Sequence, residues 1–270
     1  MGAARVLVTG STGFLGPFVV AALRRRGFDV VTAARSGGDA AVDLAQRGSC
    51  AAVAEALAPD YVLHLAAMSR MADCAADPEL AHRVNAELPG ELAARFGDRM
   101  LFTSTDLVFD GRAGPYGERA ATAPLSLYGV SKAAGEELVR QRGGRIARLP
   151  LLFGPDPRGR GASGMIRTAL AGGRALTLYT NEYRTPLHAA DAATGLAELV
   201  TLRAAPQVLH LPGPERCSRW EFGRRFCAAH GLDAALLCPV ECQDATRPRD
   251  TALSGEWRAV RSLDAMLADG

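Results

Sequence analysis

A chain of 270 residues with 48% hydrophobic content can build one large domain or two modest ones around a substantial core. A formal net charge of +2 argues against a strongly one-signed surface of the kind that holds nucleic acid or an anionic membrane. No apolar run approaches the ~18 residues of a membrane span and no leader-like segment precedes the first strand, so a cytoplasmic protein is expected.

The first predicted strand, around Val6, Leu7 and Val8, runs into the loop Gly10-Ser11-Thr12-Gly13-Phe14-Leu15-Gly16 and then a helix over 14–26 with Gly27 as its cap. Gly10 permits the turn, Gly13 lets backbone approach a pyrophosphate, and Gly16 lets the helix pack closely. The helix N-terminus then turns its free N–H groups toward an anion. A strand over 29–34 follows and ends at Arg35 and Ser36. An arginine 19 residues past the last loop glycine suits a 2′-phosphate, so NADP(H) is expected over NAD(H).

A short strand over 41–44, a helix reaching Leu57 and a strand over 61–67 come next, the last ending in small residues that let a flat ligand lie close. His64 inside this apolar run reads as a satisfied core residue. Asp77 and Pro78 open a long helix to about Phe96 that Pro89 should kink or break. A strand over 100–103 leads into Ser104, Thr105 and Asp106, and a helix from Tyr128 to Arg142 follows. This alternation predicts a Rossmann-type, doubly wound parallel α/β sheet with ligands at the carboxyl ends of its strands. Residues 1–150 are expected to form the NAD(P)-binding part, with some of 175–215 returning to the sheet. Residues 151–270 are expected to form a small α/β substrate-binding cap.

Tyr128 and Lys132 are four apart and share one helix face. A nearby ammonium favours the phenolate, so the pKa of Tyr128 is expected to fall, and a hydroxyl from Thr105 completes a set that can hold and protonate a substrate oxygen. The six cysteines, at 50, 74, 217, 227, 238 and 242, include no CxxC pair, so no metal site or disulfide framework is expected. In the C-terminal part a loop over 154–164, helices over 163–171 and 188–202, strands over 175–179 and 208–211, and a capping box at Ser218 and Glu221 before a helix ending near Gly231 are predicted. A diphosphate-bearing substrate would call for arginine forks in the cap, from among Arg158, Arg160, Arg167, Arg184, Arg247 and Arg249. Trp220 and Trp257 read as packing anchors.

The segments T-G-S-T-G-F-L-G at 9–16, H-L-A-A at 64–67, V-N at 84–85, S-T-D-L-V-F-D-G at 104–111 and Y-G-V-S-K at 128–132 together resemble the extended short-chain dehydrogenase/reductase superfamily. R-L-P-L-L-F-G-P at 148–155 and R-P-R-D at 247–250 extend the likeness over nearly the whole chain. Within it the chain is most similar to dTDP-4-dehydrorhamnose reductases. That resemblance implies reduction of a nucleotide-sugar ketone, with Thr105 orienting the carbonyl, Tyr128 protonating the alkoxide and Lys132 binding the nicotinamide ribose. It also implies that Gly10 to Gly16 hold the pyrophosphate and that Asp43 and Leu44 meet the adenine. Leu65, Ala66, Ala67 and Thr103 would line the cofactor's path, Arg35 and Ser36 would meet its ribose end, and Leu149 and Pro150 would lie near the nicotinamide. Met68, Asp106, Arg184 and Arg247 would meet the substrate.

Leu107 stands where related dehydratases carry a second acid, which disfavours elimination, and the Asn-rich segment typical of 4-epimerases is missing. The alternatives left open are another sugar epimerase or ketoreductase of the superfamily, and a non-catalytic NADP-binding subunit like the regulatory partner of methionine adenosyltransferase. A homodimer also stays open.

Overall fold

A computed structural model describes residues 2–43, 45–202 and 206–269. Seven parallel strands form its central sheet. In chain order they begin with β1 (Arg5–Thr9), β2 (Asp29–Ala34), β3 (Ala40–Ala41), β4 (Tyr61–His64), β5 (Met100–Thr105) and β6 (Arg145–Leu149), and Val208–His210 is the seventh. Their order across the sheet is Val208–His210, β6, β5, β4, β1, β2, β3, so the chain winds outward from β1 in one direction, then returns and winds in the other. The reversal lies between β1 and β4, where a crevice opens at the carboxyl ends.

Strands buried on both faces explain the near-continuous apolar runs read from the sequence. Val6 and Val8 face one layer, where the helices Gly16–Arg25 and Ala189–Leu199 pack, and Leu7 faces the other, with Leu88, Leu92 and Phe96. The long helix expected over 77–96 is broken, as Pro89 predicts. Asp77 caps Pro78–His82 through a bond from Leu80 N (3.0 Å), a π turn spans Arg83–Glu87, and Leu88–Phe96 resumes with Pro89 in its first turn. A wider π turn absorbs a residue whose N–H is missing, and it carries Asn85 inward, fully buried.

The helix expected from Phe14 begins two residues later, at Gly16, because Phe14 and Leu15 complete the glycine turn instead. The strand expected over 61–67 ends at His64, leaving Leu65 to Met68 as extended loop, and that expected over 41–44 reduces to Ala40–Ala41. Leu44 lies outside the described residues. Beyond β6 the helices Gly161–Ala171 and Arg219–Ala229 and three two-stranded sheets cover the carboxyl edge on one side. Val208–His210 rejoins the main sheet beside β6. Among the described residues no helix is long and apolar enough to cross a membrane.

Candidate active site

The glycine turn fits a dinucleotide in three respects. Gly10 has φ +69°, and a Cβ there would come within 2.6 Å of Ala66 N, so no other side chain is accommodated. A Cβ on Gly16 would run into the Ser11 backbone, which is how the helix starts flush against the turn. That helix has no acidic residue in its first turn and no side-chain cap, so its N-terminal N–H groups face the crevice without an anion of their own.

Beyond the turn, Thr9 Oγ1 meets His64 Nδ1 at 2.7 Å and fixes the start of the Leu65–Met68 loop, so His64 is a core residue, but only half satisfied, since its buried Nε2 has no hydrogen-bond partner among the described residues. Burial first, and Lys132 second, push His64 down to about 3, so it is neutral. Asn85 holds the loop from below through Met68 N (2.9 Å) and Met68 O (2.9 Å), and it reaches Ser131 Oγ at 3.0 Å on the Tyr128 helix. This buried amide ties the loop to the helix that carries Tyr128, a positioning part that V-N at 84–85 signalled only as a motif.

The helix Leu127–Gln141 starts on Ser126, whose hydroxyl accepts from Gly129 N (3.1 Å), and it places Tyr128 and Lys132 beneath the end of β5. The Thr105 hydroxyl donates to Asp106 Oδ1 (3.1 Å), accepts from Leu107 N (3.2 Å) and lies beside the Tyr128 phenol. Lys132 is buried, with Nζ donating to the Thr103 carbonyl (2.7 Å) and lying 3.9 Å from the centre of the Phe102 ring. Burial pushes Lys132 down to about 7 against the opposing pull of Glu136. Tyr128 departs from expectation. Its pKa is raised, not lowered, because burial outweighs the Thr105 hydrogen bond and Asp106 adds to the rise, while the ammonium of Lys132 is committed to Thr103. One helical turn further on, buried Glu136 grips Arg148 through Nε (2.9 Å) and Nη2 (2.6 Å), and Arg148 Nη1 reaches His210 Nε2 at 3.2 Å.

Across the cleft, Asp106 is 4% exposed and engaged by Thr251 Oγ1 (2.8 Å) and Arg184 Nε (3.3 Å). Burial raises its pKa while Arg184 and Thr251 oppose the rise. Glu182, 1% exposed, holds Arg247 at 2.5 Å and 3.1 Å and lies 3.9 Å from Arg184. Arg219 also belongs here, although its sequence context signalled only a helix cap, which the structure contains at Ser218 and Glu221. Its backbone N–H donates to the Glu182 carbonyl (2.9 Å), yet no partner hydrogen-bonds its guanidinium among the described residues. Burial, then Arg184, push it down to about 10. Arg184, Arg219 and Arg247 against Asp106 and Glu182 leave one positive charge in excess.

Of the other arginines expected here, Arg249 turns to the carbonyls of Asp244 and Arg247, Arg167 lies beside His230, and Arg158 and Arg160 reach Thr12 instead. Leu149 and Pro150 are buried where β6 ends, Ala66 and Ala67 border the turn, and Arg35, Ser36 and Asp43 are exposed past β2.

A sheet reversing at a glycine turn, with Thr, Tyr and Lys at the end of β5, the strand beyond β4, defines an extended short-chain dehydrogenase/reductase on a Rossmann-type fold. The model of the RmlD substrate binding domain matches residues 4–263, and the chain belongs to that family. It is 32% identical to a probable low-salt glycan biosynthesis reductase from Haloferax volcanii over 89% of this chain and 85% of that protein. It is 30% identical to dTDP-4-keto-6-deoxy-D-glucose reductase from Streptomyces niveus (94% and 90%) and 28% identical to methionine adenosyltransferase 2 subunit beta from Pongo abelii (92% and 80%). A dTDP-4-dehydrorhamnose reductase from Bacillus anthracis, solved in complex with NADP, superposes with TM-score 0.88 at 21% identity, covering 98% of this chain and 97% of that one.

Proposed function

We propose that this protein reduces the 4-keto group of a 6-deoxy nucleotide sugar, with NADPH preferred as reductant and Tyr128 as proton donor. The observation that carries the reading is the convergence of Thr105, Tyr128 and Lys132 at the end of β5, one strand from the glycine turn. Gly10 to Gly16 would hold the pyrophosphate, Arg35 and Ser36 the adenosine end, and Leu149 and Pro150 would flank the nicotinamide, which supplies hydride when bound.

The raised pKa of Tyr128 suits this direction of chemistry, since the phenol keeps its proton through neutral pH and gives it only to a developing alkoxide. Thr105 donates to the same oxygen and fixes the angle of approach. Lys132, drawn from Thr103 toward the site, lowers the cost of the phenolate that forms. Arg219, Arg184 and Arg247 would take the substrate diphosphate, where two-pronged guanidinium contacts match phosphate oxygens.

The relatives that are regulatory subunits make binding without turnover the second reading, and the complete Thr105, Tyr128 and Lys132 set favours turnover. NADPH consumption with a panel of dTDP-4-keto-6-deoxysugars decides. Tyr128→Phe should cut kcat by about 10²- to 10⁴-fold while NADPH still binds. Arg35→Asp should move preference toward NADH. Tight NADPH binding without turnover of any sugar would sink the reductase reading.

A further inference from the structure

The loop after Phe153 folds over the glycine turn instead of reaching the cap's arginine cluster. Asp156 organises it. Its carboxylate accepts from the backbone N–H of Arg158 (3.1 Å) and Arg160 (2.9 Å), and from Arg160 Nε (3.0 Å) and Nη2 (2.6 Å). Arg160 Nη1 then donates to the Thr12 carbonyl at 3.0 Å, and Arg158 Nη1 reaches the same oxygen at 3.4 Å. Gly161 lies flat against Phe14 of the turn, since a Cβ there would stand 2.7 Å from the ring.

Thr12 also borders the bend after β2, its methyl 3.6 Å from where a Cβ of Gly37 would stand. Three segments distant in sequence therefore meet at one edge of the crevice: the glycine turn, the Arg35–Gly38 bend and the Arg158–Arg160 loop. Two features there are left with hydrogen-bonding capacity to spare among the described residues. Ser11 is 8% exposed, its Oγ makes no hydrogen bond, and it stands 3.5 Å from the Cβ position of Gly38. Arg158 is exposed, and among the described residues its guanidinium makes one hydrogen bond, the 3.4 Å contact to Thr12, with no carboxylate in ion-pair range.

We infer that Arg158, held by the Asp156–Arg160 latch, is a cofactor-phosphate ligand that the second half of the chain lays over the glycine turn. The inference rests on reading that turn as the dinucleotide site. A guanidinium tethered beside a buried, unsatisfied hydroxyl and the free N–H groups of a helix start completes an anion cradle. Both the pyrophosphate and an adenosine 2′-phosphate have that chemistry, and the proximity of Thr12 to the bend after β2 places either within the loop's region.

Isothermal titration of the full-length protein with NADPH and with NADH tests this. Arg158→Ala should weaken NADPH binding by about ten-fold or more, the yield of one charge-assisted hydrogen bond, with Arg158→Glu worse and Arg158→Lys recovering part of the loss. A greater loss for NADPH than for NADH assigns the contact to the 2′-phosphate, and equal losses assign it to the pyrophosphate. Asp156→Asn should weaken binding in the same pattern by freeing Arg160. Unchanged affinity in the Ala and Glu variants, beside a wild type that binds tightly, overturns the inference. A wild type that binds neither nucleotide overturns the dinucleotide reading itself.

Discussion

The two ends of the crevice proposed to take anions are built in opposite ways. At the glycine turn the donors are backbone N–H groups at a helix start, exposed by the absence of side chains at Gly10, Gly13 and Gly16. At the cap end the donors are guanidiniums, two of them aimed by carboxylates from elsewhere in the chain, Arg184 by Asp106 and Arg247 by Glu182, while the Arg219 guanidinium lies beside them without a hydrogen-bond partner among the described residues. A backbone cradle fits within a few consecutive residues and has nothing to reorganise. A side-chain cradle needs distant residues, and burying its charges has to be offset by pairing them. Between the two, the helix Leu127–Gln141 holds Tyr128 and Lys132, the residues proposed to carry the proton chemistry, steadied by the buried Glu136 and Arg148 pair.

The largest effect is expected at that middle support. Glu136→Gln strands Arg148 in the core and should cost about 3–5 kcal/mol in a denaturant titration. Glu136→Gln combined with Arg148→Met should recover part of it; a double variant as unstable as the single would break the argument that the pair fails by leaving a lone charge.

At the cap end, Arg219→Ala should raise KM for the nucleotide sugar by about 10- to 100-fold, the equivalent of one strong charge-assisted contact, and leave the Kd for NADPH unchanged. An equal fall in cofactor affinity would mean that the two ends are not separate sites. At the turn, Gly10→Ala should cost about 1–3 kcal/mol for the left-handed backbone, and it should lower NADPH affinity while sparing substrate binding. That result would be the mirror image of Arg219→Ala.

A last effect concerns pH. Burial holds His210 at about 4, below its ordinary value of 6.5. Between these values the unfolded chain takes up a proton that the native state refuses, so stability falls as pH drops from 6.5 toward 4. Thermal unfolding at stepwise pH should show this fall, and His210→Gln should flatten it. An unchanged slope in the variant would remove His210 as a contributor.

The local end of the comparison was legible without coordinates, and so was the spacing of Tyr128 and Lys132. Asp77, Pro89 and Ser218 also announced their turns and caps, because capping and proline effects act within four residues. The ionisation of Tyr128 was not legible: helix spacing places an ammonium nearby but cannot show that it bonds Thr103 instead. Arg219 passed as part of a helix cap, since nothing adjacent to it signals Arg184, Asp106 or Glu182. Arg158 and Arg160 were legible as cations, yet only the fold over Thr12 separates them from the cap's arginines.

By itself, then, the sequence determined the parallel α/β core, the glycine turn and the catalytic helix, because each depends on short-range periodicity and on residues that fix backbone angles. Tertiary structure alone decided which arginines gather at the cap and which at the glycine turn, how Asp106 and Arg184 link sheet to cap, and that burial raises the pKa of Tyr128. Those properties depend on burial and on charges brought together from far along the chain, and Coulomb and desolvation energies follow distance in space, not along the sequence.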